Sequence, residues 1–370
     1  MIVGVPAEIK PAENRVGVVP AGVETMCRHG HEVLVQAGAG VGSGISDGEF
    51  AAAGAEVCNA PENIYPRADL LVKVKEPLPS EFPMLRAGQV IFTFFHFAAD
   101  RELTQAAIDS GIVAIAYETI QTADGKLPLL IPMSEVAGKM AVQEGAKYLE
   151  KPMMGRGILL GGVPGVAPAN VLVIGGGTVG AHAARVAAGL GADVTILDID
   201  LDRLRYLADV MPPNVKLLVY SRHNIRHLLP LADLVIGAVL IQGAKAPMAI
   251  TREMLKLMET GAVIVDVSID QGGCVETARP TTHEDPAYVV DGVVHYCVTN
   301  MPGAVARTST LALTNATLPF ALQIADKGYK QASRDNPAIA SGLNIVCGKV
   351  THSGVADAFG LPYTPVDEVL

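Results

Sequence analysis

The chain has 370 residues, half of them apolar, which is too long for one ordinary hydrophobic core and predicts two domains. A formal net charge of −10 with no basic block excludes nucleic acid and anionic membrane surfaces as expected partners. The five cysteines (Cys27, Cys58, Cys274, Cys297, Cys347), odd in number and without metal-like spacing, are expected as reduced thiols of a cytoplasmic protein.

The opening MIVGVPAEIK lacks a basic region followed by a long apolar run, so no signal peptide is expected. The first third alternates strand-like and helix-like segments. Residues 2–5, 31–36, 70–75, 89–96 and 112–117 read as strands, and 21–29, 47–53 and 101–110 as helices. This βα alternation predicts a doubly wound parallel sheet. It lacks a glycine fingerprint and is assigned to substrate. Residues 134–151 then form a long helical stretch, with Ser134 as N-cap, expected to carry the chain into a second domain. Residues 157–184 contain no Asp, Glu, Lys or Arg and are long enough to span a bilayer. Pro164, Pro168 and several glycines interrupt that run, so it is expected as a loop leading into a buried strand.

That strand opens VLVIGGGTVGAHAARVAAGLGADVTILD, residues 171–198. Gly175, Gly177 and Gly180 supply G-x-G-x-x-G between a strand and a small-residue helix, and Asp198 ends the next strand. In a dinucleotide site the first glycine allows the tight turn and the second the approach of a pyrophosphate. The third allows close helix–strand packing, and the acid meets the ribose hydroxyls. The helix N-terminus adds free N–H groups for the anion. Asp198 favours NAD over NADP by repelling a 2′-phosphate, although Arg203 nearby is a residue type that accommodates one. Further strands are expected at 215–220, 232–239, 262–267 and 293–298, with helices at 251–258 and 309–327. The expected fold is therefore α/β, with two doubly wound, Rossmann-like domains and a cleft between them. The substrate domain would be discontinuous (1–133 plus 308–370) around a nucleotide domain (134–307).

Ligands of such sheets bind outside the carboxyl ends of the strands. Lys75, His96 and Glu118 fall at strand ends in the first domain, and Asp198, Asp270 and Asn300 in the second. Each has an ordinary alternative. His96 in FTFFHFAA could be a hydrogen-bonded core histidine, Lys75 a surface lysine, Asp270 a turn acid and Arg15 a solvated side chain. His283-Glu284-Asp285 is read as a solvated loop rather than a metal cluster, because adjacent side chains rarely converge on one ion.

The whole chain resembles the NAD-dependent alanine dehydrogenases. The resemblance rests on MIVGVPAEIKPAENRVGVVP, LVKVKEP, FTFFHFAAD, LPLLIPMSEVAGKMAVQEGA, GGVPGVAPANVLVIGGGTVG, ADLVIGAVLIQGAKAP, DVSIDQGGCVETARPTTH and NMPGAVARTSTLALTNAT. It implies that Arg15 and Lys75 hold the substrate carboxylate, that His96 is the general acid/base, and that Asp270 is the second catalytic residue. For the cofactor it implies Ser134, Gly175, Gly177, Thr178, Gly180, Asp198, Arg203, Ser221, Val239 and Leu240. It adds Val267, Ser268, Ile269, Asp270, Arg279, Val298, Thr299, Asn300 and Met301. The implied activity is reversible oxidative deamination of L-alanine to pyruvate and ammonium with NAD, in a homohexamer, and no metal site is assigned. Met133 and Tyr117 are expected as pocket walls. Three other readings stand beside it. One is the NAD-binding component of a proton-translocating transhydrogenase. Another is a dehydrogenase for a different small L-amino acid, and the last is a non-enzymatic NAD sensor. Arg15, Lys75 and His96 all match the alanine dehydrogenase pattern.

Overall fold

The computed structural model describes residues 1–239 and 246–370. They form two compact units, Met1–Met133 with Gly303–Leu370, and Ser134–Pro302.

The first unit is built on an eight-stranded sheet. From one edge its strands are Glu56–Cys58, Glu32–Gln36, Ile2–Val5, Leu70–Val72, Val90–Thr93, Val113–Ala116, Leu343–Val346 and Lys349–Val350. The first six are parallel and run in the doubly wound order, with the switch in direction between Ile2–Val5 and Leu70–Val72. LLV, VIFT and VAIA are buried throughout, as expected of central strands covered on both faces. The last two strands are antiparallel additions contributed by the chain's return. They were not anticipated, nor was the three-residue edge strand Glu56–Cys58, whose mixed sequence carries no apolar run.

The central strands end earlier than their apolar runs suggested, because side chains take over the ladder's donors. Val74 N–H goes to Glu8 Oε1 at 2.6 Å, and His96 N–H goes to Glu118 Oε1 at 2.6 Å. The helix Ala306–Asp335 extends the predicted 309–327 at both ends, with a break at Gly328, whose φ of 72° is left-handed. Thr310 on its first turns accepts Val16 N–H at 3.2 Å and meets Ser43 Oγ at 2.8 Å, which pins the segment carrying Arg15.

The second unit holds a seven-stranded sheet in the order Val215–Val219, Asp193–Asp198, Asn170–Ile174, Leu234–Gly237, Val263–Asp266, Val293–Tyr296 and Ala287–Val290. Six strands are parallel in the same doubly wound order, and Ala287–Val290 closes the edge antiparallel to Val293–Tyr296. The helix Ile131–Tyr148 starts before Ser134, so Ser134 is inside the helix rather than at its N-cap. Pro132, at home in a first helical turn, explains the earlier start. The helix expected at 251–258 is only Arg252–Leu255, capped by Thr251. The uncharged run at 157–184 is a loop, the strand Asn170–Ile174 and the start of the helix Thr178–Gly189. Among the described residues no helix is long and apolar enough to cross a membrane. All five thiols are free.

Candidate active site

In the first unit, Arg15, Lys75 and His96 all emerge beyond carboxyl ends of strands around the switch point. Arg15 is only 2% exposed. Its Nε and Nη2 donate to the two carboxylate oxygens of Glu13 at 2.6 and 2.5 Å, and Nη1 lies 3.0 Å from Met133 Sδ. This two-point grip fixes the plane of the guanidinium. Lys75 is half-buried, and no carboxylate among the described residues forms an ion pair with it, whereas its neighbour Glu76 is matched by Lys10. Burial, reinforced by the charge of Arg15, lowers the Lys75 pKa from its usual value. An ammonium in that state seeks an anion.

The sequence offers a second lysine here, and the fold disposes of it. Lys73 is buried between Glu81 at 2.9 Å and Glu8 at 3.4 Å, and Tyr65 O–H donates to Glu81. That network supports the strand end beneath Lys75. Burial raises the Glu8 pKa, with the charge of Lys73 opposing it.

His96 is exposed, which removes the reading of it as a core residue. It sits in the left-handed region at φ 53°, an uncommon place for a non-glycine residue. Glu118 holds it there, since its Oε1 accepts both His96 N–H at 2.6 Å and Phe95 N–H at 3.2 Å. The imidazole lies parallel to the Phe94 ring at 5.9 Å, and Phe94 stands edge-on to Tyr117 at 5.0 Å. Tyr117 is closed off from solvent, so it shapes the site through Phe94 rather than by facing a ligand itself.

In the second unit the three glycines separate by what surrounds them. Gly175 has φ 98°, and a Cβ there would lie 2.5 Å from the Ala238 carbonyl oxygen. At Gly180 a Cβ would lie 1.8 Å from the Gly175 oxygen. At Gly177, the N-cap of Thr178–Gly189, a Cβ meets no atom within 4 Å. Two glycines are thus needed by the fold, and one borders open space at a helix N-terminus. Asp198 and Arg203 grip the peptide units of Gly176 from both sides. Asp198 Oδ2 accepts Gly176 N–H at 2.6 Å, and Arg203 Nε donates to the Gly176 oxygen at 2.6 Å.

The remaining sites cluster at neighbouring strand ends. Ser221 caps the helix Arg222–Leu228 and accepts Asn224 N–H at 3.1 Å. Ser268 Oγ donates to Val239 O at 2.8 Å and accepts Val239 N–H at 3.0 Å. Asp266, fully buried, accepts the N–H groups of Ser268, Cys274 and Val275, which tightens the turn Val267–Gln271 and leaves Asp270 exposed. Thr299 N–H reaches Thr281 O at 3.1 Å, which draws the segment after Arg279 beside Asn300. Ile269, Val298 and Met301 bury their side chains, so their backbone is what they can offer. His283 Nε2 lies 3.2 Å from the Asn300 oxygen, in keeping with a loop role. Leu240 lies outside the described residues.

Glu13, Glu118 and Asp266 were not singled out as site residues from sequence. Glu118 was visible as a strand-end acid, but an acceptor for backbone N–H groups has no sequence pattern. Asp266 lies within DVSID, overshadowed by Asp270.

A doubly wound sheet with a complete phosphate-binding loop, in a chain that also carries a second such sheet with cationic strand ends, defines a protein with a nucleotide-binding domain of the dehydrogenase kind. Comparison with known proteins narrows the class. The family model "Alanine dehydrogenase/PNT, N-terminal domain" matches residues 4–137, and "Alanine dehydrogenase/PNT, C-terminal domain" matches residues 141–353. An alanine dehydrogenase of Methanococcus maripaludis is 55% identical over 371 residues, covering all of both chains. One of Mycobacterium tuberculosis is 52% identical over 370 residues, again covering all of both. Among solved structures, an L-alanine dehydrogenase superposes with a TM-score of 0.94 at 47% identity, over 97% of this chain and 99% of that one. A transhydrogenase from Sinorhizobium meliloti gives 0.79 at 25% identity, over 95% and 99%. This chain belongs to the alanine dehydrogenase/PNT family.

Proposed function

We propose that the protein is an NAD-dependent L-alanine dehydrogenase. It interconverts L-alanine, NAD⁺ and water with pyruvate, ammonium, NADH and a proton. The observation that carries this reading is the Arg15–Lys75 pair, a rigidly held guanidinium with an ammonium that has no ion-pairing acid among the described residues. Full-length likeness to alanine dehydrogenases, well above the likeness to the transhydrogenase, selects the substrate.

Arg15 and Lys75 bind the carboxylate of alanine or pyruvate, the guanidinium supplying planar geometry and the ammonium a point charge. Fixing the carboxylate orients the C2 centre, where positioning supplies much of the rate. His96, whose imidazole is accessible on a fixed turn, exchanges protons as amine, carbinolamine and imine interconvert. Asp270 stabilises the cationic iminium or activates water. Bound NAD supplies the hydride acceptor. The fit to it rests on the open space at Gly177 and on Asp198, whose carboxylate at a strand end suits a ribose diol and repels a 2′-phosphate. Arg203 donates only its Nε to the Gly176 oxygen, which leaves its other N–H groups to meet the cofactor. Ser134, Thr178, Ser221, Val239, residues 267–270, Arg279 and residues 298–301 complete the cofactor site. A homohexamer in the cytoplasm, with small molecules as partners, accompanies this reading through the family resemblance.

His96→Ala tests the mechanism. Turnover of L-alanine should fall by at least about 100-fold, the usual contribution of a general acid/base, while NADH titrated by fluorescence binds as before. A variant that keeps the wild-type rate removes His96 from the chemistry.

A further inference from the structure

Arg279 lies in an exposed loop with no acidic partner among the described residues, yet one side chain engages it twice. Its guanidinium carbon lies 4.2 Å from the centroid of the Tyr288 ring. Its backbone N–H donates to Tyr288 Oη at 2.7 Å, and Tyr288 O–H donates in turn to the Thr277 carbonyl at 3.0 Å. Tyr288 therefore fixes both the backbone and the direction of the Arg279 side chain.

The tyrosine is itself immobilised. It pairs across the antiparallel edge with His295, the rings lying 5.2 Å apart and 21° from parallel. His295 is fully buried, with Nδ1 3.0 Å from the Val293 oxygen and Nε2 2.8 Å from Thr277 Oγ1. A carbonyl can only accept, so Nδ1 carries the proton and Nε2 accepts from Thr277. Burial lowers the His295 pKa, which keeps this neutral tautomer. The edge strand Ala287–Val290 thus acts as a prop, passing the rigidity of the sheet to the Arg279 side chain.

We infer that Tyr288 is a positioning residue for cofactor binding, acting through Arg279; this rests on the reading of Arg279 as a cofactor contact. A fixed guanidinium meets an anionic or hydrogen-bonding group of the dinucleotide without first losing rotamer freedom.

The test is a double-mutant cycle read by NADH fluorescence titration and steady-state kinetics. Tyr288→Leu should weaken NADH about 3- to 5-fold, the range of an exposed cation–π contact. KM for L-alanine should be unchanged. Tyr288→Phe keeps the ring but loses the hydroxyl bonds to Arg279 N–H and Thr277 O, so its affinity should fall between those of the wild type and Tyr288→Leu. Adding Tyr288→Leu to Arg279→Gln should cost nothing further. An equal loss in both backgrounds, or wild-type affinity in Tyr288→Leu, overturns the inference. Wild-type affinity in Arg279→Gln alone instead overturns the assignment of Arg279. Should Tyr288→Leu fail to fold, Arg279→Lys serves. It keeps the charge but loses the planar stack, so NADH should weaken, and unchanged affinity refutes the stacking role.

Discussion

The glycine loop allows folding and binding to be separated by two single methyl groups three residues apart. Gly180→Ala places a Cβ 1.8 Å from the Gly175 carbonyl oxygen, a backbone atom within the phosphate loop, so strand and helix must separate by more than an ångström. Overpacking of that kind costs about 3 kcal/mol, and in a unit of this size that lowers Tm by roughly 6–12 °C. Gly177→Ala meets nothing within 4 Å and occupies an N-cap at φ −62°, a value alanine adopts freely. Its folding cost is about 0.5–1 kcal/mol, because alanine is a poorer N-cap than glycine, and that is well below the cost at Gly180. The same methyl projects where the dinucleotide phosphates would approach, and should weaken NADH by about 10- to 100-fold, or roughly 1.4–2.7 kcal/mol. Thermal unfolding and NADH titration on both variants check this. Wild-type NADH affinity in Gly177→Ala would refute the placement of the phosphates. Equal destabilisation by the two variants would refute the geometry of the loop.

Three further outcomes follow from the site. Because the Lys75 pKa is lowered in the free protein, a bound carboxylate should raise it again, so pyruvate binding near that lowered pKa takes up protons and weakens as pH rises through it. Calorimetry in two buffers of different ionisation enthalpy measures the uptake, and none across the alkaline range contradicts the Lys75 assignment. Glu118→Ala strands the His96 and Phe95 N–H groups and releases a left-handed turn, and kcat should drop about 10- to 100-fold, as for loss of a charge-assisted hydrogen bond. NADH affinity should hold, and Glu118→Gln, which keeps an acceptor oxygen, should retain most activity; a wild-type kcat in Glu118→Ala ends that explanation. Asp198→Ala removes the repulsion of a 2′-phosphate, so the ratio of NAD to NADP use should fall, and an unchanged ratio refutes its role.

The parallel strands and the glycine motif were legible in the sequence because central strands covered on both faces are written as unbroken apolar runs such as VIFT and VIVD. The edge strand Glu56–Cys58 has no such run, since only its pairing to a neighbour makes it a strand, whereas Ala287–Val290 carries the short run AYVV and was not read as a strand. Strand ends were read too long for a related reason. Glu8 and Glu118 divert backbone donors from the ladder, and they approach Val74 and His96 only once the sheet has formed. The exposure of His96 was equally hidden, because its neighbours in FTFFHFAA are apolar and only the left-handed turn lifts it from the core. Arg15 and Lys75 were visible as cations, but not that Glu13 holds one while the other has no ion-pairing acid among the described residues.

The central claim is tested most directly by incubating the purified protein with NAD⁺ and single L-amino acids at alkaline pH and following NADH absorbance. Alanine, glycine, serine and lysine would be compared. The account predicts rapid NADH formation with L-alanine and little with the others. NADH bound normally but never formed from L-alanine would contradict it.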